Sequence, residues 1–390
     1  MSSVMKTYGR IGLTFIRGEG PWLFTEDGSK YLDFASGIAV NTFGHSDADL
    51  VLALTKQAKK LWHTSNLYNI KPQEELADLI CKNSFGESVF FCNSGAEAVE
   101  GVIKIVRRYH YNKNSPKKNN ILVFSDAFHG RTVGTLAAGH NKDHREGFEI
   151  NTELFKRLDL ENFKELQKNI NDKTAGILIE PIQGEGGINI VSPEFLLNLR
   201  QLCNERDILL AFDEVQSGMG RTGKLFAHEW YDVSPDVMAL AKGLGGGFPI
   251  GAVVANKKTS DVLSPGTHGP TFGGNFLAAG VAKEVINKLL KKGFLESVVS
   301  AGDDLMNGIK KLSNDYDEII MGVRGKGLMI GIECKIKNLD LFNSLREQGL
   351  LSVPAAGNIV RFLPPLNINH SHIERALEIL EKSMIKLKDI

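Results

Sequence analysis

The chain has 390 residues, enough for about two domains with cores of their own, and an ordinary globular composition of 42% hydrophobic and 24% charged residues. Its 46 basic residues balance 46 acidic ones, so no overall charge draws it toward nucleic acid or an anionic membrane. The four cysteines (Cys81, Cys92, Cys203, Cys334) form no C-x-x-C pair, and no stretch approaches the roughly 18 apolar residues of a membrane span.

These features argue against a metal site or a disulfide framework. With no signal-peptide pattern over 1–20, the cytoplasm is the expected compartment. In chain order, Pro21 to Phe24 reads as a strand. Asp27-Gly28 is a hairpin turn signal, and Tyr31 to Phe34 is the return strand. An amphipathic helix is predicted over 50–62. Strands and helices then alternate. The strands are predicted over 89–92, 121–125, 176–180, 209–214, 237–241 and 252–255, with helices over 96–111 and 193–205. The strands are short, apolar and poorly alternating, as in a largely parallel sheet covered on both faces. A helix over 275–291 opens the last third. After it come 323–335, a helix near 338–348, the segment 358–362 and a terminal helix from Ser371. The fold class is therefore α/β, with a large central domain (46–275), a smaller C-terminal one (276–390) and an N-terminal arm (1–45) packed near the latter.

Three glycine clusters invite a nucleotide reading. Gly218-Met-Gly-Arg-Thr-Gly223-Lys224-Leu225 nearly spells a P-loop, but Leu225 has no hydroxyl for Mg²⁺, and the run after it starts a helix poorly. The clusters opening at Gly184 and Gly243 each lack the third glycine of a dinucleotide fingerprint. Asn93-Ser94-Gly95-Ala96-Glu97 is a better anion site, because it joins a strand to a helix whose free N–H groups favour a phosphate. A plain capped helix explains it equally well.

Asp213 and Lys242 each end an apolar strand, so both point into the crevice beyond the sheet's carboxyl ends. A buried lysine has a lowered pKa and becomes a nucleophile toward a carbonyl such as that of pyridoxal 5′-phosphate (PLP). The PLP ring nitrogen needs an acidic partner, which Asp213 could be, and Gln216 could bond the ring hydroxyl. An ordinary Asp213–Lys242 ion pair is the competing explanation.

The chain also resembles a known family over about 18–365. The resemblance is carried by Ser36-Gly-Ile-Ala-Val-Asn41 with Gly44-His45, Asn93 to Glu97, Phe128-His-Gly-Arg-Thr132, Glu180-Pro-Ile-Gln-Gly-Glu-Gly-Gly187, Phe212 to Gln216, Ala241-Lys-Gly243, Thr271-Phe-Gly-Gly-Asn275 and Val360-Arg-Phe-Leu-Pro-Pro365. It is similar to the class III aminotransferases of PLP fold type I, most closely the acetylornithine aminotransferases.

The resemblance implies that Lys242 carries PLP as a Schiff base and that Asp213 serves the pyridinium nitrogen. It gives Gln216 to the ring oxygen, Gly95 and Ala96 to the phosphate, and Phe128 and Val215 to the two ring faces. Thr271 would reach the cofactor of a second subunit, which makes the active unit a homodimer. Arg131 would hold a substrate carboxylate, and Glu185–Arg361 would be a switch that serves donor and glutamate in turn. The implied reaction is N2-acetylornithine plus 2-oxoglutarate, with succinyl-diaminopimelate as a further donor. Ornithine and 4-aminobutyrate aminotransferases and a semialdehyde aminomutase are rivals within the fold. A P-loop hydrolase and a silent PLP-binding protein are rivals outside the activity. One position departs from the family: Pro270 stands where close relatives carry Ser or Thr, which removes a hydroxyl contact. His129 is read as a structural histidine with no chemistry.

Overall fold

The computed structural model describes residues 3–148 and 150–388. Residues 1–2 and 389–390, the tips of the expected arm and small domain, lie outside the described residues. The central sheet has seven strands in the order Ser88–Cys92, Gly251–Ala255, Val237–Leu240, Leu209–Asp213, Thr174–Ile179, Asn120–Phe124, Phe155–Leu158. Every residue of Thr174–Ile179, Leu209–Asp213, Val237–Leu240 and Gly251–Ala255 is buried, which is why the sequence shows apolar runs there rather than alternation. The six expected strands form within two residues of their expected ends. Gly251–Ala255 runs antiparallel to both neighbours and is the exception in an otherwise parallel sheet.

Helix Gly95–Asn112 covers one face, placing Val99, Val102 and Val106 in a buried cluster with Val123, Leu178 and Leu209. Ser94 caps this helix by accepting from the Glu97 N–H at 3.2 Å. Helix Pro193–Glu205 forms as expected, with Ser192 as its cap. The predicted 50–62 helix is shorter, Ala48–Ala58, and is capped by Asp47.

The P-loop rival loses its helix here. The segment after Lys224 gives only a four-residue 3₁₀ turn, Ala227–Trp230, with Gly220 and Gly223 at φ of 83° and 88° before it. No anion-binding helix N-terminus follows that loop.

A second sheet takes the order Ile320–Lys326, Met329–Cys334, Ile359–Phe362, Val353–Ala355. The stretch predicted over 323–335 is thus a hairpin turning at Gly327. Helices Phe294–Asp315 and Asn338–Glu347 pack on this sheet, and His370–Lys388 packs against both of them. The N-terminal strands Phe15–Glu19, Trp22–Thr25 and Lys30–Asp33 form an antiparallel sheet whose last member is Leu350–Leu351, paired in parallel with Leu32–Asp33. Phe34 sits between the chain's two ends: its N–H donates to Leu351 O (3.0 Å) and its carbonyl accepts from Leu363 N–H (2.6 Å).

Immediately afterwards the backbone makes an unusual turn. Ser36, Gly37, Ile38 and Ala39 have φ of 48°, 63°, 66° and 60°, one turn of left-handed helix. Left-handed backbone disfavours residues with a Cβ by about 1–2 kcal/mol each. Asp33 offsets this: its Oδ1 accepts from the Ala35 and Ser36 N–H groups at 3.0 and 2.9 Å, and its Oδ2 bonds His45 at 2.7 Å. Among the described residues no helix is long and apolar enough to cross a membrane, and no group of three or more His, Cys, Asp or Glu is placed to hold a metal ion.

Candidate active site

A cavity of about 390 Å³ opens beyond the carboxyl ends of the parallel strands, the position that α/β sheets use for ligands. Gly95, Ala96, Phe128, Arg131, Glu185, Asp213, Val215, Gln216 and Lys242 line it. Each follows directly from a strand end. Gly95 and Ala96 come after Cys92, the Phe128–Arg131 segment after Phe124, Glu185 after Ile179, and Lys242 after Leu240. Arg361 lies behind Glu185, with none of its surface exposed. Thr271 is exposed and does not line the cavity of its own chain.

Lys242 has φ of 44°, a strained value that turns the side chain off the strand direction into the cavity mouth. Burial lowers its pKa, against the pull of Glu185, and a lowered value makes the amine a better nucleophile at neutral pH. No ion pair within 4.0 Å joins it to Asp213, so the simple ion-pair explanation of these two residues fails.

Asp213 is instead held by two other groups: Oδ2 accepts from His129 Nδ1 at 2.8 Å and Oδ1 from the Val215 N–H at 3.0 Å. His129, read from the sequence as a structural histidine, thus holds a residue of the cavity wall. It is fully buried, its Nε2 has no partner, and although burial opposes the charge, its bond to Asp213 raises its pKa.

A second residue passed over in the sequence is Glu180. Its buried carboxylate accepts from the Phe128 N–H at 2.9 Å and the Gly184 N–H at 3.3 Å. It thereby fixes both the base of the Phe128 ring and the start of the Glu185 loop. Burial pushes its carboxyl up to about 7. The signal available was the strand-end position of Glu180, equivalent to that of Asp213.

Glu185 and Arg361 form a two-pronged pair, Oε1–Nη1 and Oε2–Nη2 both at 2.8 Å. Burial favours the neutral acid, yet the Arg361 charge outweighs it and holds the carboxyl below its usual range. Gln216 is also committed here: its Oε1 accepts from Arg361 (3.2 Å), and its Nε2 donates to Glu185 (3.4 Å). A Cβ on Gly184 would collide with this amide, which accounts for the glycine. Among the described residues Arg131 has no acid partner within 4.0 Å; its guanidinium lies 5.3 Å from the Phe128 ring centroid. Outward, a vestibule of about 940 Å³ shares Phe128, Arg131, Glu185 and Lys242 with the inner cavity, and residues 140–144 wall it on one side.

The donor set fits PLP. The Gly95 and Ala96 N–H groups, which have no acceptor inside the helix, suit a phosphate. A Cβ at Gly95 would come within 2.7 Å of Val215, so the close approach of loop and helix needs glycine. Asp213 suits a protonated ring nitrogen, and Lys242, which makes no ion pair within 4.0 Å among the described residues, suits an aldehyde. Fold and cavity together define a pyridoxal-phosphate-dependent α/β enzyme.

Residues 4–384 match the model of the aminotransferase class-III family. The chain is 46% identical over its full length to an acetylornithine aminotransferase of Mesorhizobium japonicum, covering 97% of that protein. It is 48% identical over 97% of its length to acetylornithine aminotransferase 1 of Bradyrhizobium diazoefficiens, covering 94% of it. Among solved structures it superposes on N-acetylornithine aminotransferase of Stenotrophomonas maltophilia (TM-score 0.87, 36% identity, 98% of each chain). It also matches ornithine aminotransferase of Toxoplasma gondii (TM-score 0.95, 30% identity, 99% of this chain and 93% of that one). A second structure of that Toxoplasma enzyme holds PLP at partial occupancy in its active site. The chain belongs to the class III aminotransferases. It is a transaminase, acting on an amino donor and a keto acid, and its cofactor is PLP.

Proposed function

We propose that this chain moves the terminal amino group of N2-acetylornithine to 2-oxoglutarate, giving N-acetylglutamate 5-semialdehyde and glutamate, as a step of arginine synthesis in the cytoplasm. One observation carries the reading: Glu185, which masks the buried Arg361 behind it, and the unmasked Arg131 line the same cavity. A donor whose reacting carbon bears no carboxylate needs Arg361 neutralised, while its distant carboxylate needs a bidentate guanidinium such as Arg131. Glutamate carries a carboxylate at the reacting carbon and needs Arg361 released. Relatives 44–48% identical over nearly the whole chain bear the name acetylornithine aminotransferase, which supports the same donor. N-succinyl-diaminopimelate meets the same requirements and is the second donor proposed.

When bound, PLP supplies the carbonyl that takes up the amino group and a sink for the electron pair left on the donor carbon. Lys242 Nζ would hold the cofactor and, once free, would take and return the proton of the donor's reacting carbon. Asp213, steadied by His129, keeps the ring nitrogen protonated. Gly95 and Ala96 would bind the phosphate, Phe128 and Val215 would cover the ring faces, and Gln216, whose amide already bonds Glu185 and Arg361, would reach the ring oxygen with its second amide hydrogen.

Thr271 completes the phosphate site of a second copy, so the active unit is a homodimer. The exposed Trp62, Leu67, Tyr68 and Phe272 (63%, 89%, 69% and 58%) provide apolar surface for the contact. The division into arm (1–45), cofactor domain (46–275) and small domain (276–390) belongs to the same proposal. Pro270 brings no hydroxyl to the donor, which leaves Arg131 as the group that recognises its far end. The decisive experiment adds candidate amines singly to PLP-loaded protein. Loss of the lysine-bound cofactor absorbance with acetylornithine, but not with ornithine or 4-aminobutyrate, is expected; a response to ornithine alone overturns the assignment.

A further inference from the structure

The vestibule holds a titratable group that the proposed mechanism does not use. His144 is half-buried in the vestibule wall. Its ring stands edge-on to Phe128 at 6.2 Å between centroids, and Arg131 lies over that same Phe128 ring at 5.3 Å. Two basic side chains thus flank one aromatic platform at the place where a donor's far end would lie.

We infer that His144 is a second, conditional cation of the carboxylate site: a substrate carboxylate bound at Arg131 draws a proton from solvent onto the His144 ring. This rests on the reading of Arg131 as a carboxylate holder. The observations that carry it concern what keeps the ring neutral beforehand. Asn141 Nδ2 lies 3.2 Å from His144 Nε2, and the amide cannot turn round, because its Oδ1 already accepts from the Asp143 N–H at 2.8 Å. The amide therefore donates, and Nε2 must be an unprotonated acceptor. Burial lowers the ring's pKa and the uncompensated Arg131 charge lowers it further.

A carboxylate arriving at Arg131 removes that repulsion and offers a charged acceptor to an imidazole N–H, so the proton affinity of the ring rises. By linkage, the carboxylate must then bind more tightly as the pH falls. The other charges facing this space set the background. Asp143 and Glu185 favour the proton, but Glu185 is already held by Arg361, and Asp126 lies 3.8 Å from His140. Lys142 and, when not joined to the cofactor, Lys242 line the same space as like charges that oppose it, and His140 is the other titratable ring there. The residues approaching from the small sheet and its helix, Asn338, Leu339, Pro354, Ala355 and Ala356, carry no charge.

The test uses PLP-loaded protein and N2-acetylnorvaline, which has the acylated carboxylate end but no terminal amine and so does not react. Calorimetric titration in phosphate and in Tris, whose ionisation enthalpies differ, counts protons taken up on binding. The wild type is expected to take up part of a proton at pH 7.5. Its Kd is expected to fall about three- to fivefold from pH 8 to pH 6, the range for a partly exposed charge pair. In His144→Gln both effects vanish. Binding without proton uptake in the wild type overturns the inference, as does uptake of the same size in His144→Gln. Arg131→Ala separates the two layers: unchanged affinity in that variant refutes the carboxylate reading of Arg131, whereas lost affinity upholds it whatever His144 does.

Discussion

Glu185→Ala removes both 2.8 Å acceptors of Arg361 and leaves the guanidinium in place. What remains to Arg361 is Gln216 Oε1 at 3.2 Å and Pro354 O at 3.4 Å, while Nε has no partner. Orphaning one member of a buried pair costs about 3–5 kcal/mol where water stays out. The Glu185 side chain is 31% exposed toward the cavity, so water refills part of the gap and about 2 kcal/mol is the working figure. On the proposed switch, the α-carboxylate of glutamate displaces Glu185 to reach Arg361 in the wild type, so this interaction would favour the amine half-reaction. Its removal raises kcat/KM for glutamate relative to acetylornithine by about 30-fold. Rapid mixing of each substrate with PLP-loaded variant, followed by cofactor absorbance through one turnover, measures both constants. A ratio within twofold of the wild type refutes the switch. The same argument makes glutarate raise the melting temperature of the variant more than that of the wild type.

Three further outcomes follow from the geometry. Glu180 is held up at about 7, and a raised acid binds more protons folded than unfolded. Its contribution is therefore complete below the unfolded pKa and lost as pH rises through about 7. Urea melts of Glu180→Gln and wild type then diverge by on the order of 3 kcal/mol between pH 4.5 and pH 8, at the wild type's expense at high pH; a pH-independent difference contradicts this. His129→Phe strips Asp213 of its 2.8 Å partner and weakens PLP binding about ten- to a hundredfold in a fluorescence titration of the cofactor-free protein, whereas unchanged affinity would show His129 to be mere packing. Leu67→Asp places a charge on the most exposed large apolar side chain among the described residues and turns a dimer into single chains by sedimentation, with loss of activity; a wild type that sediments as a single chain rules out the dimer.

The central strands were legible because burial on both faces writes an apolar run into the sequence. Phe155–Leu158 was not, since this edge strand carries Lys156 and Arg157 between its two apolar ends. Helices Lys71–Lys82 and Phe294–Asp315 went unread too. In the longer one Gly302 and Gly308 interrupt the helical signal, and a Cβ at Gly302 would strike the backbone of Gly327. Tertiary packing chose a residue that local propensity disfavours. At the site, motifs located Lys242, Asp213, Glu185 and Arg361. The contacts of His129 and Glu180 depend on strand order, which sets Asn120–Phe124, Thr174–Ile179 and Leu209–Asp213 side by side and so gathers positions 129, 180 and 213. No spacing along the chain announces that neighbourhood.

The left-handed turn at 36–39 also bears on the order of events at the ribosome. Its strained backbone leans on Asp33 and Phe34, and these are anchored by Leu350, Leu351 and Leu363, near the other end of the chain. At roughly 5–20 residues per second, a nascent polypeptide waits on the order of 15–60 s between making the turn and making its support. Val40, Gly37 and Ile38, which wall the cavity and vestibule, therefore gain their support only once Leu363 has been made.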